Sequence, residues 1–422
     1  MLQNTNVAKK IIRKLLGRQG HIDAPHIDDA LAYIDEYWQQ LTVSNTNDVG
    51  TVIGLPNPYI VPANDKSSEF TFEEQYYWDS YFTALGLVGK HQALAEGMLE
   101  NLLHIFKRFG FIPNASRMYF MSRSQPPILT SFVRLIYETG NKSPDWLKEK
   151  MAVAQDEYKN VWMSQKHPFW HQVKNGLSRY YDINVLHDLA EAESGWDMTP
   201  RFERKCLDYL PIDLNCLLYK YEKDFAWAAR LTGDTKQADH WKTMARKRRA
   251  AINDVMWHDR RGFYFDYNYQ KDQLGSVWSL AGFFALWSGV ATKEQAAKIV
   301  DNLGKFEHAG GLSTTTQPLI DMGIFGSLKS QWAYPNGWAP LHWIVISGLD
   351  KYGYADDAER ITRKWVHTNL AWFEAHGVFQ EKYNVVKIHK PPVEGVYPSQ
   401  TGFGWTNAVF VDLCNKHINK HK

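Results

Sequence analysis

Apolar residues recur at three- and four-residue spacing along several long stretches of this chain, and that period narrows its possible folds more than any other feature. Met98, Leu99, Leu102, Leu103 and Phe106 form one stripe, closed by Gly110. Leu214, Leu217, Leu218, Tyr221 and Phe225 form a second, with Gly233 shortly after. Ala238, Trp241, Ala245, Ile252 and Met256 form a third, and Ala358, Ile361 and Trp365 a fourth. Such a stripe runs along one face of an α-helix and has to be buried against a neighbour, and glycine commonly ends the helix. Between the stripes lie loops rich in glycine, proline and aromatics: "FGFIPNASRMYFMSRSQPP", "HDRRGFYFDYNY", "AGGLSTTTQ" and "HGVFQEKYNVV". Strands do not alternate with helices as a parallel sheet requires. The expected class is all-α: helix pairs closed into a toroid, long loops at one rim carrying the function, and short β-hairpins in some loops. An open solenoid is the structural alternative, but no consensus repeat of its length recurs. Residues 1–50 are expected to form an N-terminal helical extension and 51–422 the main domain.

The chain of 422 residues is 44% hydrophobic, enough for a sizeable core. Its formal net charge of +2 creates no field that would draw it to nucleic acid or acidic membranes. The one dense basic run, "RKRR" at 246–249, reads as a solvated helix face. Cys206, Cys216 and Cys414 are too few and too odd for a disulfide framework, which fits a reducing compartment. The N-terminal stretch holds no apolar run of signal-peptide length, and no stretch approaches the roughly 20 apolar residues of a spanning helix. A soluble, cytoplasmic protein is expected. With 17 Trp, the chain has either a Trp-rich core or flat platforms for the apolar faces of sugar rings.

Zinc, phosphate-loop, serine-elbow and dinucleotide motifs are all missing from the sequence, so neither a metal nor a cofactor is expected. What stands out is carboxylates beside aromatics: "FEEQYYWDSYF" at 72–82, "PNASRMYFMSRSQPP" at 113–127, "ESGWD" at 193–197, and later "QWAYPNGWAP", "EKYN" and "GFGWTNAV". Trp78-Asp79 offers a ring beneath a sugar and an acid for its hydroxyls, or else a helix end packed by its Trp. Arg123 and Gln125 offer fixed donors ahead of two prolines. Breaking a glycosidic bond takes two carboxyl groups, one to protonate the leaving oxygen and one to activate water or attack carbon. Asp197, after Gly195 and Trp196, suits the acid, whose pKa an apolar wall raises. Glu381, beside Lys382, is the candidate partner. The competing reading gives each acid an ordinary salt bridge.

In this order, "YYWDSYF", "SRSQPP", "ESGWD", "PNGWAP", "EKYN" and "GFGWTN" closely resemble the trehalase family of glycoside hydrolases, over residues 56 to 413. The resemblance implies an (α/α)6 toroid and inverting, metal-free hydrolysis of a small α-linked disaccharide. The implied substrate is a small-molecule α-glycoside, α,α-trehalose first, with glucosylglycerate or mannosylglycerate as the alternative and a non-catalytic sugar-binding relative as a third. It implies Asp197 as general acid and Glu381 as general base. It carries substrate contacts over to Phe72, Tyr76, Trp78, Asp79, Asn114, Arg123, Ser124, Gln125, Gly195 and Trp332. The sequence departs from the family at Thr71, where an Arg is usual, and at Val396, where a Glu is usual. An Arg-Pro-Glu element is replaced by "GLSRYYD", in which Arg179 is the candidate substitute. These departures fall on the leaving-sugar side.

Overall fold

The computed structural model describes residues 24–64, 72–317, 330–395 and 397–418. Helices dominate: α1 (Ala24–Leu41), α2 (Tyr77–Leu87), α3 (Gln92–Phe109), α4 (Leu129–Thr139), α5 (Pro144–Glu157), α6 (His187–Glu193) and α7 (Ile212–Leu231). They continue with α8 (Thr235–Met256), α9 (Phe284–Ser288), α10 (Lys293–Asp301), α11 (Ala339–Lys351), α12 (Ala355–His376) and α13 (Gly404–Leu413).

Two layers follow from two kinds of helix. α2, α11 and α13 are buried on almost every side, as their near-continuous apolar sequences demand. They belong to an inner ring in which α2 packs on α4, α4 on α7, α7 on α9, α9 on α11, α11 on α13, and α13 back on α2. The last contact closes the ring. α3, α8 and α12 bury one face only and sit outside, α3 against α2 and α4, α8 against α7, and α12 against α11. α5 lies outside α4 and α7, and α1 lies outside α12 and α13. The fold is an (α/α)6 toroid. Of the N-terminal helical segment expected over residues 1–50, residues 1–23 lie outside the described residues. The four apolar stripes are the buried faces of α3, α7, α8 and α12.

The expected hairpins form locally in four places: Gln172–Lys174 pairs with Leu177–Ser178, Trp257–His258 with Phe263–Tyr264, Tyr267–Asn268 with Gln273–Leu274, and Glu307–His308 with Gly311–Leu312. The "EKYN" segment does otherwise. Its strand Lys382–Asn384 pairs with the distant strand Asn336–Trp338, setting Lys382 opposite Trp338. The basic run at 246–249 is solvated only in part: Arg246 and Lys247 are exposed, but Arg248 is not. Arg248 falls one helical turn beyond Ala245 on the inward side of α8, is 6% exposed and bonds Glu222 at 2.8 Å. All three cysteines are buried and unpaired. Among the described residues no helix is long and apolar enough to cross a membrane.

Candidate active site

The segment after α6 turns sharply to present Asp197. Gly195 has φ +70°, and a Cβ there would lie 2.8 Å from Cε2 of Trp78, so the position demands glycine for its dihedral and for its neighbour. Trp196 is fully buried, 5.5 Å from Trp332 and nearly parallel to it. Behind Trp196 stands Arg201, its guanidinium 4.3 Å from that ring and bonded to both Asp213 and Asp266. Glu191 anchors the far side of the turn, accepting the backbone N–H groups of Met198 and Thr199 at 2.9 Å each. Asp197 is thus held by groups on both flanks before any ligand arrives.

Burial raises the Asp197 carboxyl to about 6, helped by the Glu381 charge and opposed by Lys382 and the Trp332 indole. Gln331 Nε2 donates to Asp197 Oδ2 at 3.1 Å. Glu381 is 1% exposed. Lys382 Nζ donates to its Oε2 at 2.6 Å, and the Tyr397 hydroxyl donates to its Oε1 at 2.8 Å. Lys382 is itself fixed, 5.1 Å over the Trp338 ring. One carboxyl thus has a neutral amide donor and the other a cation and a phenol.

Asp79, in the first turn of α2, is the third acid of the cluster. Burial pushes its pKa well above the ordinary carboxylate range, and the charges of Glu381 and Asp197 push the same way. Gln125 accepts the Trp78 N–H at 3.0 Å, closing the start of α2. Trp78 lies 6.0 Å from Trp332 and edge-on to Trp405 at 5.8 Å, and Trp332 stacks on Trp338 at 3.7 Å and 1°. These indoles and the three acids form one largely buried cluster.

The expected substrate contacts divide. Trp78, Asp79, Gln125, Gly195 and Trp332 meet around Asp197 and Glu381, and the Tyr76 hydroxyl is raised first by burial, then by Glu74, with smaller contributions from Asp79 and Asp197. Phe72 packs edge-on to Tyr76 and to Phe403 at the margin. Asn114 and Ser124 spend their side chains on backbone carbonyls, Asn114 on Ser124 and Ala192, and Ser124 on Ile112. Arg123 bonds Asp182 and lies 5.4 Å from the Phe120 ring. Arg179 donates to the carbonyls of Trp170, Leu207 and Phe169 and to the Tyr269 hydroxyl. Four of its five donors hold loops. Thr71 and Val396 lie outside the described residues. Gln331, Tyr397 and Glu191 were not among the expected site residues, although each had a local signal: Gln331 precedes Trp332 in an aromatic-rich run, Glu191 stands two residues before "ESGWD", and Tyr397 follows Val396, one of the departures from the family.

A family model described as Trehalase matches residues 19–187 and 165–417. The chain is 34% identical to the cytosolic neutral trehalase of Saccharomyces cerevisiae, over 88% of this chain and 58% of that protein. It is 32% identical to the periplasmic trehalase of Escherichia coli, over 91% of this chain and 73% of that one. It spans less than two thirds of the yeast relative's length. Among solved structures, neutral trehalase Nth1 from S. cerevisiae superposes with a TM-score of 0.74 at 32% identity, covering 86% of this chain and 74% of that one. A mannosylglycerate hydrolase from Thermus thermophilus, at 19% identity and a TM-score of 0.66 over 91% of this chain and 99% of that one, shares the fold. With the family model spanning nearly all of its length, the chain belongs to the trehalase family.

Proposed function

We propose that this protein hydrolyses the α-glycosidic bond of α,α-trehalose with inversion, releasing two glucose molecules, with Asp197 as general acid and Glu381 as general base. The observation that carries the reading is the unequal treatment of the two carboxyls. Asp197 is raised to about 6 by burial and the Glu381 charge, while Glu381 receives a cation on one oxygen and a phenol on the other. An acid whose pKa is raised toward neutrality and a base held at both oxygens are what an inverting displacement needs.

In the reaction Asp197 gives its proton to the glycosidic oxygen as the bond from the anomeric carbon to that oxygen breaks. Glu381 takes a proton from a water molecule as the water oxygen bonds to the opposite face of the same carbon. One glucose leaves as the alcohol and the other is born as the β-anomer. Trp78 supplies an apolar surface to the sugar whose bond is broken, backed by Trp332, whose own ring is stacked between Trp338 and Trp196, and Asp79 supplies an acceptor for the sugar's hydroxyls. We place the activity in the cytoplasm, which suits three unpaired cysteines.

A second substrate class follows from the departures from the family at Thr71 and Val396, which fall on the leaving-sugar side. Glucosylglycerate and mannosylglycerate, which carry a carboxylate there, are the members of that class. The deciding experiment incubates the protein with trehalose, trehalose 6-phosphate, kojibiose, sucrose, glucosylglycerate and mannosylglycerate, assays released hexose, and follows the first anomer by NMR. Fastest turnover of trehalose with β-glucose appearing first is expected. Preference for a glycerate glycoside would replace the substrate, and an α-anomer seen first would overturn inversion.

A further inference from the structure

We propose that Tyr397 is a positioning residue of the reaction: together with Lys382 it ties down both oxygens of Glu381 and keeps that carboxylate aimed. The proposal rests on the reading of Glu381 as the base.

Lys382 alone holds one oxygen, Oε2, and a carboxylate held at one oxygen can still turn about its terminal torsion, which has broad wells. The Tyr397 hydroxyl on Oε1, at 2.8 Å, removes that freedom. Two oxygens offer about four acceptor directions, so each keeps one for the attacking water. Both donors favour the charged form. The loop bearing Tyr397 also reaches the acid's partner. A Cβ on Gly395 would lie 2.6 Å from Cδ of Gln331, so only glycine lets this backbone lie against the amide that donates to Asp197. Trp338 completes the frame, its indole N–H donating to the Gln331 carbonyl at 3.1 Å while its ring lies under Lys382. One short stretch of loop therefore touches the base directly and the acid through Gln331.

The charged and titratable groups around the two carboxyls are few. Glu381 faces Lys382, Tyr397, Asp197 and Asp79. Asp197 faces Glu381, Lys382, Asp79, Tyr76, Tyr397 and Glu191. Removing the phenol acts on the base directly and on Asp197 only through Gln331, whose amide also meets the phenol. The two limbs of the pH profile of kcat/KM should then respond differently, although each limb belongs to the coupled pair.

The test is Tyr397→Phe in the whole chain, with kcat/KM for trehalose measured from pH 3 to pH 9. A hydrogen bond to a charged group sets the scale, so the acidic limb is expected to move up by about one pH unit. kcat is expected to fall roughly 10- to 100-fold and KM to change less than about threefold. If the phenylalanine variant does not fold, 2,3,5-trifluorotyrosine at position 397 keeps the shape and strengthens the donor, and the acidic limb should move down instead. Glu381→Gln is measured alongside. If it is inactive while the limb stays fixed in both Tyr397 variants, or if KM alone rises, the positioning role is overturned. An active Glu381→Gln would overturn the assignment of the base itself.

Discussion

Replacing Gly195 with alanine tests the geometry that delivers Asp197. The new Cβ would lie 2.8 Å from Cε2 and 2.9 Å from Cζ2 of Trp78. Carbon atoms rest about 3.5–4.0 Å apart, so the indole or the turn must give way by roughly 0.8 Å. The indole has little room, with Phe82 and Trp405 edge-on to it at 5.5 and 5.8 Å. An L-residue at φ +70° adds roughly 1–2 kcal/mol of backbone strain, and overpacking adds about 1–3 kcal/mol. The expected stability loss is therefore about 2–5 kcal/mol, read as a lower urea midpoint at unchanged slope. A shift of nearly 1 Å in either Trp78 or the Asp197 turn should lower kcat/KM about 10²-fold, beyond any loss of folded protein. Measuring both quantities on the purified variant decides the matter. Wild-type turnover in a variant as stable as the parent would show that the turn and Trp78 do not constrain one another.

Asp197→Asn and Glu381→Gln should each keep the native far-UV circular dichroism and lose at least about 10³-fold in turnover, and near-normal rates in either would remove that residue from the chemistry. The basic limb of kcat/KM should fall near pH 6, because Asp197 must be protonated to act and loses its proton as pH rises through about 6; a limb above pH 8 would refute this. Glu157 is buried, accepts the hydroxyls of Tyr77 and Tyr221, and has its pKa raised by burial to about 7. A folded pKa above the unfolded value contributes stability at low pH that is lost as pH rises through the folded value, so Tm should decline between pH 5 and pH 8, and Glu157→Gln should flatten that decline. Arg201→Met would leave Asp213 and Asp266 buried without their shared cation and should cost about 3–5 kcal/mol in urea denaturation; a change under about 1 kcal/mol would show that the two acids find other partners.

The amino-acid sequence by itself determined the elements and the chemistry-bearing residue types. The stripe from Met98 to Phe106 had to lie on an amphipathic helix, because only a 3.6-residue period places those side chains on one face. The acids beside Trp78 and Trp196 were legible for the same local reason: each sits within a few residues of its ring. Closure was not legible, since the packing of α13 on α2 joins segments far apart in the chain, and no local period encodes which helix meets which. Arg248, read as solvated from its basic neighbours, is turned inward by its place on α8 and neutralised by Glu222. Arg179, a candidate for the leaving-sugar side, is held by three carbonyls that only the folded loops bring to it. The same holds at the catalytic pair. Glu381 could be named from its motif, but its state depends on Tyr397 as well as on its neighbour Lys382. Asp197 depends on Gln331, delivered from a distant loop. A carboxyl's identity is local, whereas its pKa and orientation are set by burial and by donors from other loops, and only the tertiary structure brings those donors to it.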